Sequence, residues 1–226
     1  MASILLVRHG QASFAAADYD QLSPLGLEQA RRLGLRLQGR RYSRWISGSL
    51  QRQTATLQGI RQAHGEQGDG EIDARFNEFD HEQLLRAYHP QLADVEGRQQ
   101  LLSSHADPRK AFQRLFAQAW QRWLDPRHSA DYSESWAAFR QRCQQALQEV
   151  VEDSQGDVLI VSSGGVIAAL LQQLLQVADE QVLALNAVIY NASCSRLLYH
   201  AGRVSLSGFN DVAHLEDEHG HLLSYR

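Results

Sequence analysis

The chain has 226 residues, 43% of them apolar and 21% charged, which excludes a disordered or collagen-like polypeptide. That length suits one large α/β domain, or a domain carrying an inserted sub-domain, with a core that needs no disulfide or metal staples. A net charge of −4 and a pI near 6.2 supply no global basic field for nucleic acid or anionic lipid.

Cys143 and Cys194 form no paired spacing, which suits a reducing compartment. Of the 22 Lys plus Arg, only Lys110 is a lysine, so any one arginine is by default a solvated surface charge. Met1-Ala2-Ser3 has no basic character, and the apolar run Ile4–Val7 is too short for a signal peptide or a membrane span. The expected location is cytoplasmic. Asn191-Ala192-Ser193 matches a glycosylation sequon only by chance on that reading.

Ile4–Val7 has the pattern of a strand buried on both faces. Ser23-Pro24 predicts a capped helix start, Leu27, Ala30, Leu33 and Leu37 its apolar stripe, and Gly39 its stop. Trp45-Ile46-Ser47 reads as a second strand, Leu50–His64 as a helix, Gly65–Gly70 as a loop and Ile72–Phe79 as extended chain. From about 81 to 130 strand signals vanish. Phe112, Phe116, Trp120 and Trp123 lie on one helical stripe, read as a buried face in preference to a ligand platform.

Trp136, Phe139, Cys143, Leu147 and Val150 mark a further amphipathic helix, which makes Cys143 a packing residue. Val158–Val161 predicts another buried strand and Val166–Leu175 an apolar helix. Val188–Tyr190, Ser195–Tyr199 and Val204–Leu206 read as later strands, with a turn at Ala201-Gly202. The alternation implies an α/β three-layer sandwich: a mainly parallel sheet, helices on both faces and a helical insertion at about 81–130 in a single domain spanning 1–226.

Two buried strands end in short polar turns, Val7-Arg8-His9-Gly10 and Val161-Ser162-Ser163-Gly164-Gly165. Ligands of open α/β sheets bind at such carboxyl ends, and the helix after Ser163 would aim free N–H groups at an anion. Arg8 adds a planar guanidinium suited to phosphate, and Arg52 follows the second strand. These residues predict an anion pocket that contains a histidine.

The segments Leu6–Ser13, Leu22-Ser23 with Leu25-Gly26 and Gln29-Ala30, Ser47 with Arg52-Gln53-Thr54-Ala55, Glu78, and Val161-Ser162-x-Gly164-Gly165 resemble the histidine phosphatase superfamily. That group contains the cofactor-dependent phosphoglycerate mutases and fructose-bisphosphatase-type enzymes. Phe209-Asn210-Asp211 and His214-Leu215 are similar to its C-terminal segment. The resemblance implies that His9 is the nucleophile, that Arg8 and Arg52 hold the phosphate, and that Glu78 is the proton donor. Gln11, Ser13 and Gly164 would line the pocket.

One departure is serious: Ser163 stands where the family pattern has a second histidine. Losing one such donor costs about 10²–10³ in rate. The resemblance therefore implies a phosphatase acting on a small phosphorylated substrate, weakened at Ser163 and needing neither cofactor nor metal. A phosphate-binding module without turnover is the alternative, and an accidental Arg-His-Gly a third reading.

Phe79–Leu84 lacks the stretch that follows the acid in phosphoglycerate mutases, so mutase activity is not expected. Arg86, Arg98 and Arg109 are candidate outer anion contacts in the insertion, with surface exposure the default. His214 is expected to pack, and Glu216–His221 to be a solvated tail whose spacing closes no metal site. A homodimer is an assembly that the sequence leaves open.

Overall fold

A computed structural model describes residues 2–13, 20–103, 105–216 and 220–225. At its centre lies strand β1 (Ala2–Arg8), flanked by β4 (Val158–Ser162) and β5 (Cys194–His200). Beyond β4 come β2 (Arg44–Ser47) and β3 (Glu71–Ile72), and β6 (Arg203–Asp211) forms the other edge. The order is β3-β2-β4-β1-β5-β6: four parallel strands, then two antiparallel ones. No cross-over is needed between β5 and β6, which turn at Ala201 and Gly202, both at positive φ as a tight hairpin requires.

Alternation along the strands divides the core into two faces. Ile4, Leu6, Ile46, Val158 and Ile160 face one side, against α6 (Trp136–Asp153) and α7 (Gly164–Leu175). Leu5, Val7, Trp45, Leu159 and Val161 face the other, against α1 (Pro24–Arg36) and α2 (Gln51–His64). Each such buried aliphatic side chain contributes about 1.5–3 kcal/mol, so the two faces together fix the register of the sheet. Ser23 caps α1 as expected, its Oγ accepting from Gly26 N at 3.1 Å, with Pro24 in the first turn.

The segment after β3 is helical: α3 (His81–Tyr88), α4 (Val95–Ser103) and α5 (Pro108–Leu124). Trp120 and Trp123 of α5 are buried among Phe79, Trp136 and Phe139, and the Phe79 ring lies 5.2 Å and 5.0 Å from theirs. The aromatic stripe is core here, not a ligand surface. Leu85 and Leu92 form a small separate cluster with Ala119, against which Phe112 packs part-buried.

Three expectations are corrected. Val188–Tyr190 is not a strand: Val188 ends α8 (Val182–Val188), a seven-residue helix hidden in an apolar run whose period fits either structure. Ile72–Phe79 is extended only briefly, because Asp73 accepts from Arg75 N and starts a 3₁₀ turn over Ala74–Phe76. Leu27 is exposed and lies off the buried stripe, which instead runs through Gly26, Gln29, Ala30 and Leu33.

Candidate active site

The register aligns the carboxyl ends of three strands: Arg8 pairs with Ser162, and Ser47 with Val161. His9 follows directly and its N donates to Ser162 O at 2.8 Å, so the first and last polar turns share one edge. Gly10 packs against the first turn of α1. A Cβ there would lie 2.5 Å from Gly26 O, so the close approach admits only glycine.

His9 is buried and held at both ring nitrogens. Its Nδ1 lies 2.7 Å from Gly10 O, which can only accept, so Nδ1 carries the proton. Nε2 accepts from Arg52 Nε at 3.1 Å and therefore holds a lone pair. Burial, then the charges of Arg52 and Arg8, push the imidazole well below its ordinary pKa. The ring is neutral, and the nitrogen that keeps its lone pair faces the cation.

Arg52 also donates from Nη1 to Asp20 Oδ1 at 2.5 Å, and Asp20 Oδ2 accepts from Gln51 N at 2.7 Å. Arg8 reaches in from the end of β1, its Nη1 donating to Ile189 O and to Tyr225 O. Glu78 lies half-buried beside the start of α7. Its Oε2 accepts from Gly165 N in the first turn of α7 at 3.0 Å. Burial raises the Glu78 pKa, and Gly165 N–H, Arg52 and Arg8 oppose the rise. The same two guanidinium groups thus act on His9 and on Glu78. Imidazole, carboxyl and both arginines gather at one edge of the sheet.

Ser163 is fully buried and does not cap α7 with its side chain. Its Oγ accepts from Gln53 Nε2 at 2.8 Å, and that amide also donates to Phe76 O at 3.0 Å. Gly164 opens α7, with the Arg8 guanidinium 3.5 Å from where its Cβ would be. Gln11 N donates to Gln29 Oε1 at 2.9 Å, and Gln11 Oε1 accepts from Ser23 Oγ at 2.9 Å. Ser13 N donates to Gln21 O at 2.8 Å.

The remaining candidates lie elsewhere. Arg98 pairs with Glu82, Arg86 with Asp80, and Arg109 is exposed at the start of α5. His214 packs on the far face of the sheet. Within Glu216–His221, residues 217–219 fall outside the described residues. Among the described residues, no group of three or more His, Cys, Asp or Glu side chains gathers to hold a metal. Asp20, Gln53 and Asn191, whose Nδ2 donates to His9 O at 3.3 Å, carry no role in the sequence reading. Gln53 stood within a motif quoted for the family and Asn191 within the chance sequon, while Asp20 lies in a loop with no periodic signal.

A sequence profile of the histidine phosphatase superfamily (branch 1) matches residues 4–212. The chain belongs to the histidine phosphatase superfamily. Solved structures with the same fold include YhfR of Bacillus stearothermophilus. It is 20% identical at a TM-score of 0.69, over 96% of this chain and 100% of that one. A mycobacterial glucosyl-3-phosphoglycerate phosphatase is 22% identical at 0.63, over 93% and 99%. A phosphoglycerate mutase from Bacillus anthracis is 19% identical at 0.64, over 94% of each chain. No curated protein sequence matches the chain. Among the described residues of this superfamily member, no helix is long and apolar enough to cross a membrane.

Proposed function

We propose that this histidine phosphatase hydrolyses small phosphate monoesters through a phosphohistidine on His9. The observation that carries the reading is the state of the ring: its Nδ1 proton is committed to Gly10 O, and its Nε2 lone pair faces Arg52. Nε2 attacks phosphorus, the ester P–O bond breaks, and the leaving oxygen takes a proton from Glu78. Glu78, now a carboxylate, removes a proton from water. That water attacks phosphorus, and the P–N bond breaks to return the lone pair to Nε2.

Arg8 and Arg52 nearly neutralise a monoester of about −1.5 to −2 charge. Phosphoryl transfer needs little beyond such alignment and neutralisation. Arg52 Nε, now on Nε2, turns to an oxygen of the phosphate as the lone pair is used. The first amides of α7, from Gly164 onward, favour the same anion. Gln11 and Ser13 border the entrance.

A second reading has its own support. Ser163 supplies no cationic donor, and its Oγ already accepts from Gln53. On that reading the cleft binds phosphate without turnover. A phosphoester panel on the wild type beside His9→Ala separates the two. Phosphate release that disappears in His9→Ala supports the hydrolase. Binding without release supports the module.

A further inference from the structure

Glu78 hangs from a segment that belongs to neither helix nor sheet. After the 3₁₀ turn the backbone is extended at Asn77, so the carbonyls here have no ladder to join. Side chains take them instead. Phe76 O accepts from Gln53 Nε2 at 3.0 Å and from Ser162 Oγ at 2.7 Å. The carbonyls on either side of it, Arg75 O and Asn77 O, both accept from Arg142 Nη1, at 2.6 Å and 3.0 Å. Asn77 O belongs to the peptide plane that leads into Glu78. One guanidinium of α6 thus sets the plane from which the carboxyl side chain departs.

Arg142 is itself held in place. Glu134 accepts from its Nε at 2.6 Å and from its Nη2 at 2.8 Å, a bidentate pair that fixes the plane of the fork. The guanidinium carbon lies 4.9 Å from the centroid of the Phe139 ring. Glu134 in turn is tied to α5, since Trp123 Nε1 donates to its backbone O at 2.9 Å. Nη1, which Glu134 leaves over, has two N–H bonds, one for each carbonyl. The donors of this arginine are therefore divided between a carboxylate that aims it and the backbone that carries Glu78.

We infer that Arg142, aimed by Glu134, is a positioning residue for the general acid. It fixes the backbone on both sides of Phe76, so that the Glu78 carboxyl stays against Gly165 N and within reach of the leaving oxygen. The inference rests on Glu78 being the proton donor of the proposed hydrolysis. A purely structural ion pair would slow every ester alike when removed. A positioning residue acts through proton donation, whose worth depends on the leaving group: an alkoxide needs the proton, whereas p-nitrophenolate departs without it.

The test compares kcat/KM, which reports only the steps through phosphoryl transfer to His9, for glycerol phosphate and p-nitrophenyl phosphate. Arg142→Met with Glu134→Gln removes the donors without leaving a carboxylate unpaired. Arg142→Lys keeps the charge but not the fork, and carries the same test should the double variant not fold. The variants should lose about ten- to a hundredfold more on the glycerol ester than on the aryl ester, the contrast that Glu78→Gln should also show. Amide exchange gives a readout independent of turnover. Gly165 N–H, protected by Glu78 Oε2, should exchange at least about tenfold faster in the variants, while Ala169 deeper in α7 keeps its protection. Equal losses on both esters, or unchanged protection at Gly165, would each overturn the inference. A wild type inactive on both esters would overturn the phosphatase reading instead, and Gly165 exchange would still decide whether Arg142 holds the carboxyl.

Discussion

Burial moves the two groups at the reacting centre in opposite directions. His9 is held well below the ordinary imidazole pKa and Glu78 above the ordinary carboxyl value. In the proposed mechanism the nucleophile is neutral and the acid protonated, so activity needs a pH above the first value and below the second. The rate should fall on the acid side only well below the usual imidazole range, and on the alkaline side as Glu78 ionises. A kcat/KM profile on one phosphoester checks this; an acid limb at the ordinary imidazole value would contradict a ring desolvated between two cations. At Ser163, restoring the imidazole tests the missing donor. Ser163→His should raise kcat toward the about 10²–10³ that one such donor is worth, at a cost of about 1–3 kcal/mol in stability from overpacking. Steady-state rates and a denaturation midpoint measure both. Arg8, His9 and Arg52 were legible as residues because each follows a strand that reads plainly as buried. Asp20 was not: an aspartate in a loop gains meaning only when folding brings it 2.5 Å from Arg52.

Helix α5 lies far from phosphate chemistry, yet it bears on the position of the acid. Trp120 and Trp123 close around Phe79, and Phe79 follows Glu78, so the aromatic cluster fixes the backbone that carries the carboxyl. From the other side, Gly165 of α7 gives that carboxyl its amide and leaves it room. A Cβ at 165 would sit 2.6 Å from the Phe79 ring and collide with Glu78 Oε1. Gly165→Ala should therefore expel the carboxyl and cost the about 10²–10⁴ that general acid catalysis supplies, with the chain still folded. Rates beside a circular dichroism spectrum test it; an unchanged rate would mean that Glu78 is not held by α7. The long periodic helices were readable because their stripes span several turns. Helix α8 was not, since seven residues give fewer than two turns and Val188-Ile189 suits a strand equally well. Leu27 misled for a related reason: beside Ala30 and Leu33, the buried face of α1 is built from Gly26, Gln29 and Gly34, small and polar residues that a hydrophobic pattern passes over.

Across the whole molecule, the chain's end is fastened to its beginning. Gln29, fully buried in α1, donates to Leu222 O at 2.7 Å and to Ser224 Oγ at 3.0 Å. Ser224 O accepts from Asn191 N at 2.8 Å, Tyr225 stacks on Tyr190, and Tyr225 O receives Arg8. The last residues thereby help to aim a guanidinium assigned to phosphate. Gln29→Leu should release that segment, raise KM several-fold with a smaller change in kcat, and cost about 1–3 kcal/mol for the buried groups left unpaired. Michaelis parameters and an unfolding curve show it, and an unchanged KM would mean that the segment does not aim Arg8. No local signal in Gly220–Tyr225 announces this role, which depends on contacts some 200 residues apart in sequence. The parallel sheet, by contrast, follows from alternating strand and helix patterns that need no such information. The central claim, a covalent phosphoryl group on His9, is tested most directly by acid-quench-free trapping. The protein is mixed with a ³²P-labelled monoester, denatured in alkali and digested. The account predicts an acid-labile, alkali-stable label on the peptide containing His9, absent from His9→Ala; turnover with that peptide unlabelled, or label persisting in His9→Ala, would contradict it.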